Sequence, residues 1–172
     1  AEADTVIHVL HDAGCENISV DLICGIPDQT EASWQATLAH VVSEWRPAHI
    51  SLYTLSVEPE TPFSRWYTDR CHEWKWPGDE EMMKWYWAGV YYLESAGYIH
   101  YEISNFCRPG YHSRHNMTYW DTSCHYCGFG AAAHSYCRLA QGTPVRRFHN
   151  TDDVAAYCAS VMHGESYRSF DR

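Results

Sequence analysis

Lysine is nearly missing from these 172 residues. Lys75 and Lys84 are the only two, and 22 acidic residues against 12 lysines and arginines give a formal net charge of −10. A polyanion is met by a basic stripe, so this balance argues against nucleic acid as a partner. The cations that exist are local: Arg108, Arg114, Arg138, Arg146 and Arg147 form a small group suited to a few carboxylates or phosphates. Long apolar runs are also missing. No stretch approaches the roughly 18 apolar residues that span a bilayer, and Ala1–Asp4 show no basic region leading into an apolar one. There is no Walker loop, no GxSxG and no GxGxxG; Gly128-Phe129-Gly130 is too short for a dinucleotide fingerprint.

What is present describes a folded chain. Hydrophobic residues make up 45%, enough for a real core at this length. The eight cysteines (Cys15, Cys24, Cys71, Cys107, Cys124, Cys127, Cys137 and Cys158) are an even set. Several sit inside apolar periodic segments, where a thiol behaves as a small buried hydrophobe, so a reduced, cytoplasmic setting is expected.

Apolar residues at Ala3, Val6, Leu10 and Ala13 have helical spacing, stopped by Gly14. Ile18, Val20, Leu22 and Cys24 alternate with Ser19, Asp21 and Ile23, the pattern of a strand, mostly buried, with an acid on its less apolar face. A loop follows at 25–30. The stripe Trp34, Leu38, Val41, Val42 and Trp45 then predicts a helix that ends before Pro47. Residues 49–56 again read as a strand. Strand, helix and strand within forty residues make a βαβ unit, with parallel strands and a right-handed crossover. Residues 58–77 read as a Pro-punctuated connection. Met82, Met83, Tyr86, Trp87, Val90 and Leu93 predict a third helix, and 98–104 a further strand. Residues 105–125 read as irregular, 126–134 as a short strand and turn, and 151–163 as a last helix. The expected fold class is α/β.

Three regions carry candidate chemistry. In α/β sheets ligands gather at the carboxyl ends of the strands, which points to 25–30 and 56–62, with Asp21 just upstream. A carboxylate there can accept the hydroxyls of a ribose, and it reads equally as a loop cap or an arginine's partner. The second region, 101–120, crowds Arg108, Arg114, His115, Asn116, Tyr119 and Trp120 together. Imidazole ligates heme iron, aromatic faces stack on a macrocycle and arginine meets propionates; aromatic core residues would give the same composition. The third, Cys124-His125-Tyr126-Cys127 with His134 and Cys137, has the ligand types of a zinc site, and equally those of buried thiols flanking a close-packed glycine-alanine turn.

Six blocks in order carry a resemblance: residues 17–30 (NISVDLICGIPDQT), 49–53 (HISLY), 61–63 (TPF), 101–110 (YEISNFCRPG), 113–120 (SRHNMTYW) and 128–136 (GFGAAAHSY). Together they resemble the radical-SAM, coproporphyrinogen-oxidase-like family, and His115-Asn116-x-x-Tyr119-Trp120 is similar to the motif of its HemW branch of heme chaperones.

The resemblance implies part of a radical-SAM (β/α) partial barrel with parallel strands over 1–104, and a HemW/HemN-type α/β extension over 105–172. It implies S-adenosyl-L-methionine (SAM) beside Asp21, Ile23, Ser56 and His134, heme or porphyrin beside His115, Asn116, Tyr119 and Trp120, and a [4Fe–4S] cluster in the full-length parent. The implied function is heme handling. The alternatives are oxidative decarboxylation by an oxygen-independent coproporphyrinogen III oxidase, and a small zinc-binding module. This sequence departs from the family in three places. CxxxCxxC, which holds the cluster, occurs nowhere in it and is expected upstream; Asp28 stands where the family usually has Gly; Cys24 stands where it usually has Tyr. Enzymatic activity is therefore left open, and the heme-accepting protein is not readable.

Overall fold

The structure is a computed structural model that describes residues 2–69, 73–138, 141–164 and 168–170. The chain divides into two units, Ala1–His112 and Ser113–Arg172.

The first unit is a four-stranded sheet with helices on one face. Its elements are α1 (Glu2–Asp12), β1 (Ser19–Cys24), α2 (Glu31–His40), β2 (His49–Thr54), α3 (Pro62–Asp69), α4 (Asp79–Ser95), β3 (Ile99–His100) and β4 (Asn105–Cys107), in sheet order β1-β2-β4-β3. β1 and β2 are parallel in the register Asp21↔Ser51 and Ile23↔Tyr53, as the βαβ pattern requires. Beyond them the sheet turns antiparallel, with β4 pairing to β2 and β3 to β4.

Thr30 starts α2 with a capping box, its side chain accepting from Ser33 N, which satisfies an amide the helix cannot pair internally. α2 continues into a π-type turn over Val41–Trp45, closed by Arg46 at φ 47°; Pro47 lacks the amide needed to carry the helix on. The predicted stripe packs as expected. Trp34, Leu38 and Val41 of this segment and Trp85, Val90 and Leu93 of α4 bury against Leu22, Cys24, Ile50, Leu52 and Phe106 of the sheet. Trp34 Nε1 donates to the Trp85 carbonyl at 2.9 Å, and a Cβ on Gly89 would meet Leu52 at 3.1 Å and Trp34 at 3.2 Å. That glycine lets α4 approach closely.

Several expectations are corrected. The strand expected over 98–104 shortens to β3: β3 and β4 form a hairpin turned by Tyr101–Ser104, where the Glu102 carboxylate accepts from Ser104 N at 2.8 Å and from the Asn105 amide. β4 belongs to the first sheet, and the first unit runs to His112. The 58–77 connection contains α3. In α1 the buried side chain is Ile7, while Val6 is 57% exposed. β1 is buried on one face only; Asp21 and Ile23 are exposed.

The second unit contains α5 (Arg114–Trp120), β5 (His134–Cys137), β6 (Arg146–Asn150), α6 (Val154–His163) and β7 (Arg168–Phe170), the strands forming an antiparallel sheet in order β5-β6-β7. Ser135, Cys137, Phe148 and Asn150 are buried in it. The short strand expected at 126–134 reduces to a bridge from Tyr126 to Tyr136, and α5 occupies part of the segment read as irregular.

Candidate functional site

Helices cover only one face of the first sheet. On the other, strand alternation and register bring Ser19, Asp21 and Ile23 of β1 beside His49, Ser51 and Tyr53 of β2, with Asn105 and Cys107 of β4 beyond. This face is polar. His49, Ser51 and Asn105 are buried, whereas Asp21 and Ile23 are exposed. His49 is held at both ring nitrogens, Nδ1 by Ser19 Oγ at 2.9 Å and Nε2 by the Tyr101 hydroxyl at 2.7 Å. Burial lowers the pKa of His49, and the negative charges of Asp21 and Glu102 partly offset that effect. The imidazole is therefore neutral at physiological pH. Asn105 Oδ1 is buried and accepts no hydrogen bond. An unmet acceptor of this kind costs about 1–3 kcal/mol.

The carboxyl ends of β1 and β2 open on a cleft of about 250 Å³ lined by Gly25, Leu55, Ser56, Val57, Tyr67, Trp76, Pro77, Asp79 and Met82. Gly25 closes β1 at φ 91°, and a Cβ on it would lie 2.4 Å from Met82 Sδ; only glycine fits both demands. Its amide donates to Gln29 Oε1 at 2.6 Å. Asp28, in the position where glycine was expected, has φ 61°. Aspartate tolerates that region better than most side chains, and here it is secured twice: its carboxylate accepts from Lys75 N at 2.9 Å and its own amide donates to the Lys75 carbonyl at 2.8 Å. Cys24 is fully buried with its thiol pushed up to about 11 by desolvation. It is a packing residue.

In the second unit, Ser113 caps α5 by accepting from Asn116 N at 3.2 Å. His115 and Tyr119 sit one turn apart on the same helix face, the Tyr119 hydroxyl 3.1 Å from His115 Nε2 and the rings perpendicular at 5.1 Å. Tyr119 also meets Tyr126 edge to face at 4.8 Å. Tyr119 and Trp120 are 47% and 54% exposed. His115 is exposed and Asn116 half-buried, so α5 presents an imidazole and two aromatic rings outward.

His134 begins β5, exposed, its ring 5.2 Å from that of its cross-strand partner His149 and tilted 35° to it. The turn before it is tightly specified. A Cβ on Gly128 would strike the His134 carbonyl oxygen at 2.3 Å, and buried Asn150 donates to the carbonyl of Gly130 at 2.8 Å.

Four of the expected cofactor positions thus divide as Asp21, Ile23 and Ser56 in the first unit and His134 in the second. Asp21 and Ile23 share the polar face, while Ser56 lines the cleft with its hydroxyl donating to Glu58 at 3.2 Å. The four positions expected to meet heme are gathered on α5. Sequence reading missed His49, Ser51, Tyr101, Glu102 and Asn105. The signal was available: His49 and Ser51 alternate with Ile50 and Leu52 as Ser19 and Asp21 alternate with Val20 and Leu22.

The proposed zinc set does not assemble. Cys127 Sγ contacts Cys137 Sγ at 3.5 Å, but the Cys124 thiol donates to Asp121 at 3.3 Å. Among the described residues no three His, Cys, Asp or Glu side chains converge as metal ligands.

An α/β sheet of parallel and antiparallel strands with helices on one face is the architecture shared with the radical-SAM fold of Escherichia coli coproporphyrinogen III oxidase, HemN. The two match with a TM-score of 0.67 at 18% identity, covering 96% of this chain and 39% of that one. In sequence the chain is HemW-like. It is 38% identical to the heme chaperone HemW of Synechocystis sp. over 135 residues, 78% of this chain and 32% of that protein. It is 39% identical to HemW of Bacillus subtilis over 141 residues, 80% and 36% of the two chains, and 30% identical to HemW of Escherichia coli over 145, 84% and 36%. The chain spans about a third of the length of these curated relatives. No family model matches it.

Proposed function

We propose that this chain is part of a HemW-type heme chaperone with a radical-SAM core, residues 1–104 contributing to the barrel and 105–172 to the α/β extension. The single observation that carries the reading is the polar face of β1 and β2, exposed at Asp21, Ile23 and Tyr53, in a chain 38% identical to HemW. Exposed Asp21 lies on that face and is suited to the hydroxyl donors of a nucleoside. It fits SAM, with Ile23 offering apolar contact and Ser56 a further polar contact.

The cysteines present do not fit the [4Fe–4S] cluster: none of them makes CxxxCxxC, so no step is derived through it. In this reading the cluster belongs to the parent protein. Heme or porphyrin is the cargo, met by His115, Asn116, Tyr119 and Trp120. His115 would offer its imidazole to the iron, and the Tyr119 hydroxyl 3.1 Å from its Nε2 helps to orient the ring. A cytoplasmic location accompanies this reading, and among the described residues no helix is long and apolar enough to cross a membrane.

Heme titration of the intact protein tests it. His115→Ala should weaken binding and shift the Soret band, and Tyr119→Phe should weaken binding about tenfold or more. An unchanged spectrum and affinity in His115→Ala would remove the histidine from the site. The fold shared with HemN supports a second reading, decarboxylation of coproporphyrinogen III. Anaerobic turnover to protoporphyrinogen by the intact protein would establish that reading in place of the first.

A further inference from the structure

Among the seven cysteines within the described residues, one pair stands in contact. Cys127 and Cys137 are ten residues apart in sequence with their sulfurs 3.5 Å apart. The backbone that places them is fixed: Tyr126 and Tyr136 exchange both amide hydrogen bonds at 2.9 Å, and Gly128 N donates to Ser135 Oγ at 2.9 Å. Alternation from the Tyr126–Tyr136 bridge puts Cys127, Ser135 and Cys137 on the face opposite the two tyrosines. The two thiols are therefore diagonal neighbours.

We infer that Cys127 and Cys137 are a thiol-modification site, a pair that closes reversibly to a disulfide on reaction with a low-molecular-weight disulfide. The sulfurs must approach by about 1.5 Å to reach a bond of about 2.05 Å. Cys127 lies outside the regular strands and is the member able to move.

The two cysteines have different access. Cys127 is exposed and Cys137 is 8% exposed, so the reagent meets Cys127 first. Its thiolate attacks one sulfur of the small disulfide, forming a mixed disulfide and releasing one small thiolate, which takes a proton. Cys137, as thiolate, then attacks the Cys127 sulfur of that adduct and expels the second small thiolate. The chain gives up two electrons and two protons; the reagent is reduced to two thiols.

Arg146 is the register partner of Cys137 across β5 and β6. Three of the other thiols are held back. Desolvation raises the pKa of Cys24 and Cys107, and the hydrogen bond to Asp121 raises that of Cys124. The ring so closed contains His134.

The 172-residue chain is equilibrated with reduced and oxidised glutathione at stepped ratios, acid-quenched, alkylated and mapped by mass spectrometry, natively and in concentrated guanidinium chloride. The expected product is a Cys127–Cys137 linkage formed in one two-electron step. Its effective concentration should be at least about tenfold above that of the denatured chain, where a short flexible loop gives only about millimolar values. Cys137→Ser should trap the glutathione adduct on Cys127, and Cys158→Ser should change nothing. A stable adduct on Cys127 in the unmutated chain, a Cys124–Cys127 linkage in its place, or equal effective concentrations in the two conditions would overturn the assignment.

Discussion

Replacing Gly25 by alanine tests how the end of β1 shapes the cleft. Two costs separate cleanly here. An alanine at φ 91° carries conformational strain of about 1–2 kcal/mol whatever surrounds it. The new Cβ would also lie 2.4 Å from Met82 Sδ and 2.9 Å from its Cγ, so Met82 must leave its rotamer at about 0.5–1.5 kcal/mol. The sum is about 1.5–3.5 kcal/mol. A double-mutant cycle with Met82→Ala apportions it: without the long side chain only the backbone strain remains, so Gly25→Ala should cost about 0.5–1.5 kcal/mol less in that background. Urea denaturation followed by circular dichroism supplies the four stabilities. A cost below about 0.5 kcal/mol in the parent would refute the steric account. An equal cost in both backgrounds would show that Met82 has no part in it.

At Asp28 the order of variants is diagnostic, because alanine loses the Lys75 hydrogen bond and keeps the unfavourable φ, whereas glycine loses only the bond. Asp28→Ala should cost about 1–2 kcal/mol and Asp28→Gly less; the reverse order in urea melts would contradict the reasoning. His49 makes the chain acid-sensitive. Its folded pKa lies below the ordinary 6.5, so the unfolded chain binds the proton more readily; the contribution is complete above 6.5 and is lost as pH falls through the folded value. His49→Gln should flatten that part of the stability profile, and parallel profiles would exclude His49 as its source. Asn150→Ala should cost about 1–3 kcal/mol and speed amide exchange in Gly128–Ala133, whose carbonyls Asn150 holds; unchanged exchange would separate Asn150 from the turn. Asn105→Leu removes an unmet buried acceptor but also the amide that donates to the Glu102 carboxylate, so it should cost about 1–2 kcal/mol in urea melts. Unchanged stability would separate that bond from the β3–β4 turn.

The parts of the fold legible in the sequence are those with a period. Trp34, Leu38 and Val41 form a helical stripe and pack as one, and the alternation of β1 correctly sets Asp21 and Ile23 apart from Leu22 and Cys24. Legibility failed where side chains, not periods or glycines, shape the chain. The β3–β4 hairpin has no Asn-Gly or Pro to announce it; the Glu102 carboxylate makes the turn by accepting from Ser104 N and the Asn105 amide. α5 has seven residues with none buried, too few to show a stripe, and only Ser113 marks its start. Openness of a sheet face is likewise invisible in one strand, because an exposed acid and a solvated strand edge read alike.

The polar face explains both what was found and what was missed. A strand buried on both sides should be apolar throughout, yet β2 holds His49 and Ser51 buried between Ala48, Ile50 and Leu52. Each polar side chain there needs a partner, and for His49 both ring nitrogens have one. Asn105 Oδ1 on the adjacent β4 has none. Stability alone would favour an apolar residue at such a position. On β2 this face is held by internal hydrogen bonds, whereas on β1 it reaches solvent: Asp21, in register with Ser51, is exposed. Read singly Asp21 is a loop cap as readily as a ligand contact; its setting shows a carboxylate left accessible at the rim of a face whose central histidine is already paired at both nitrogens.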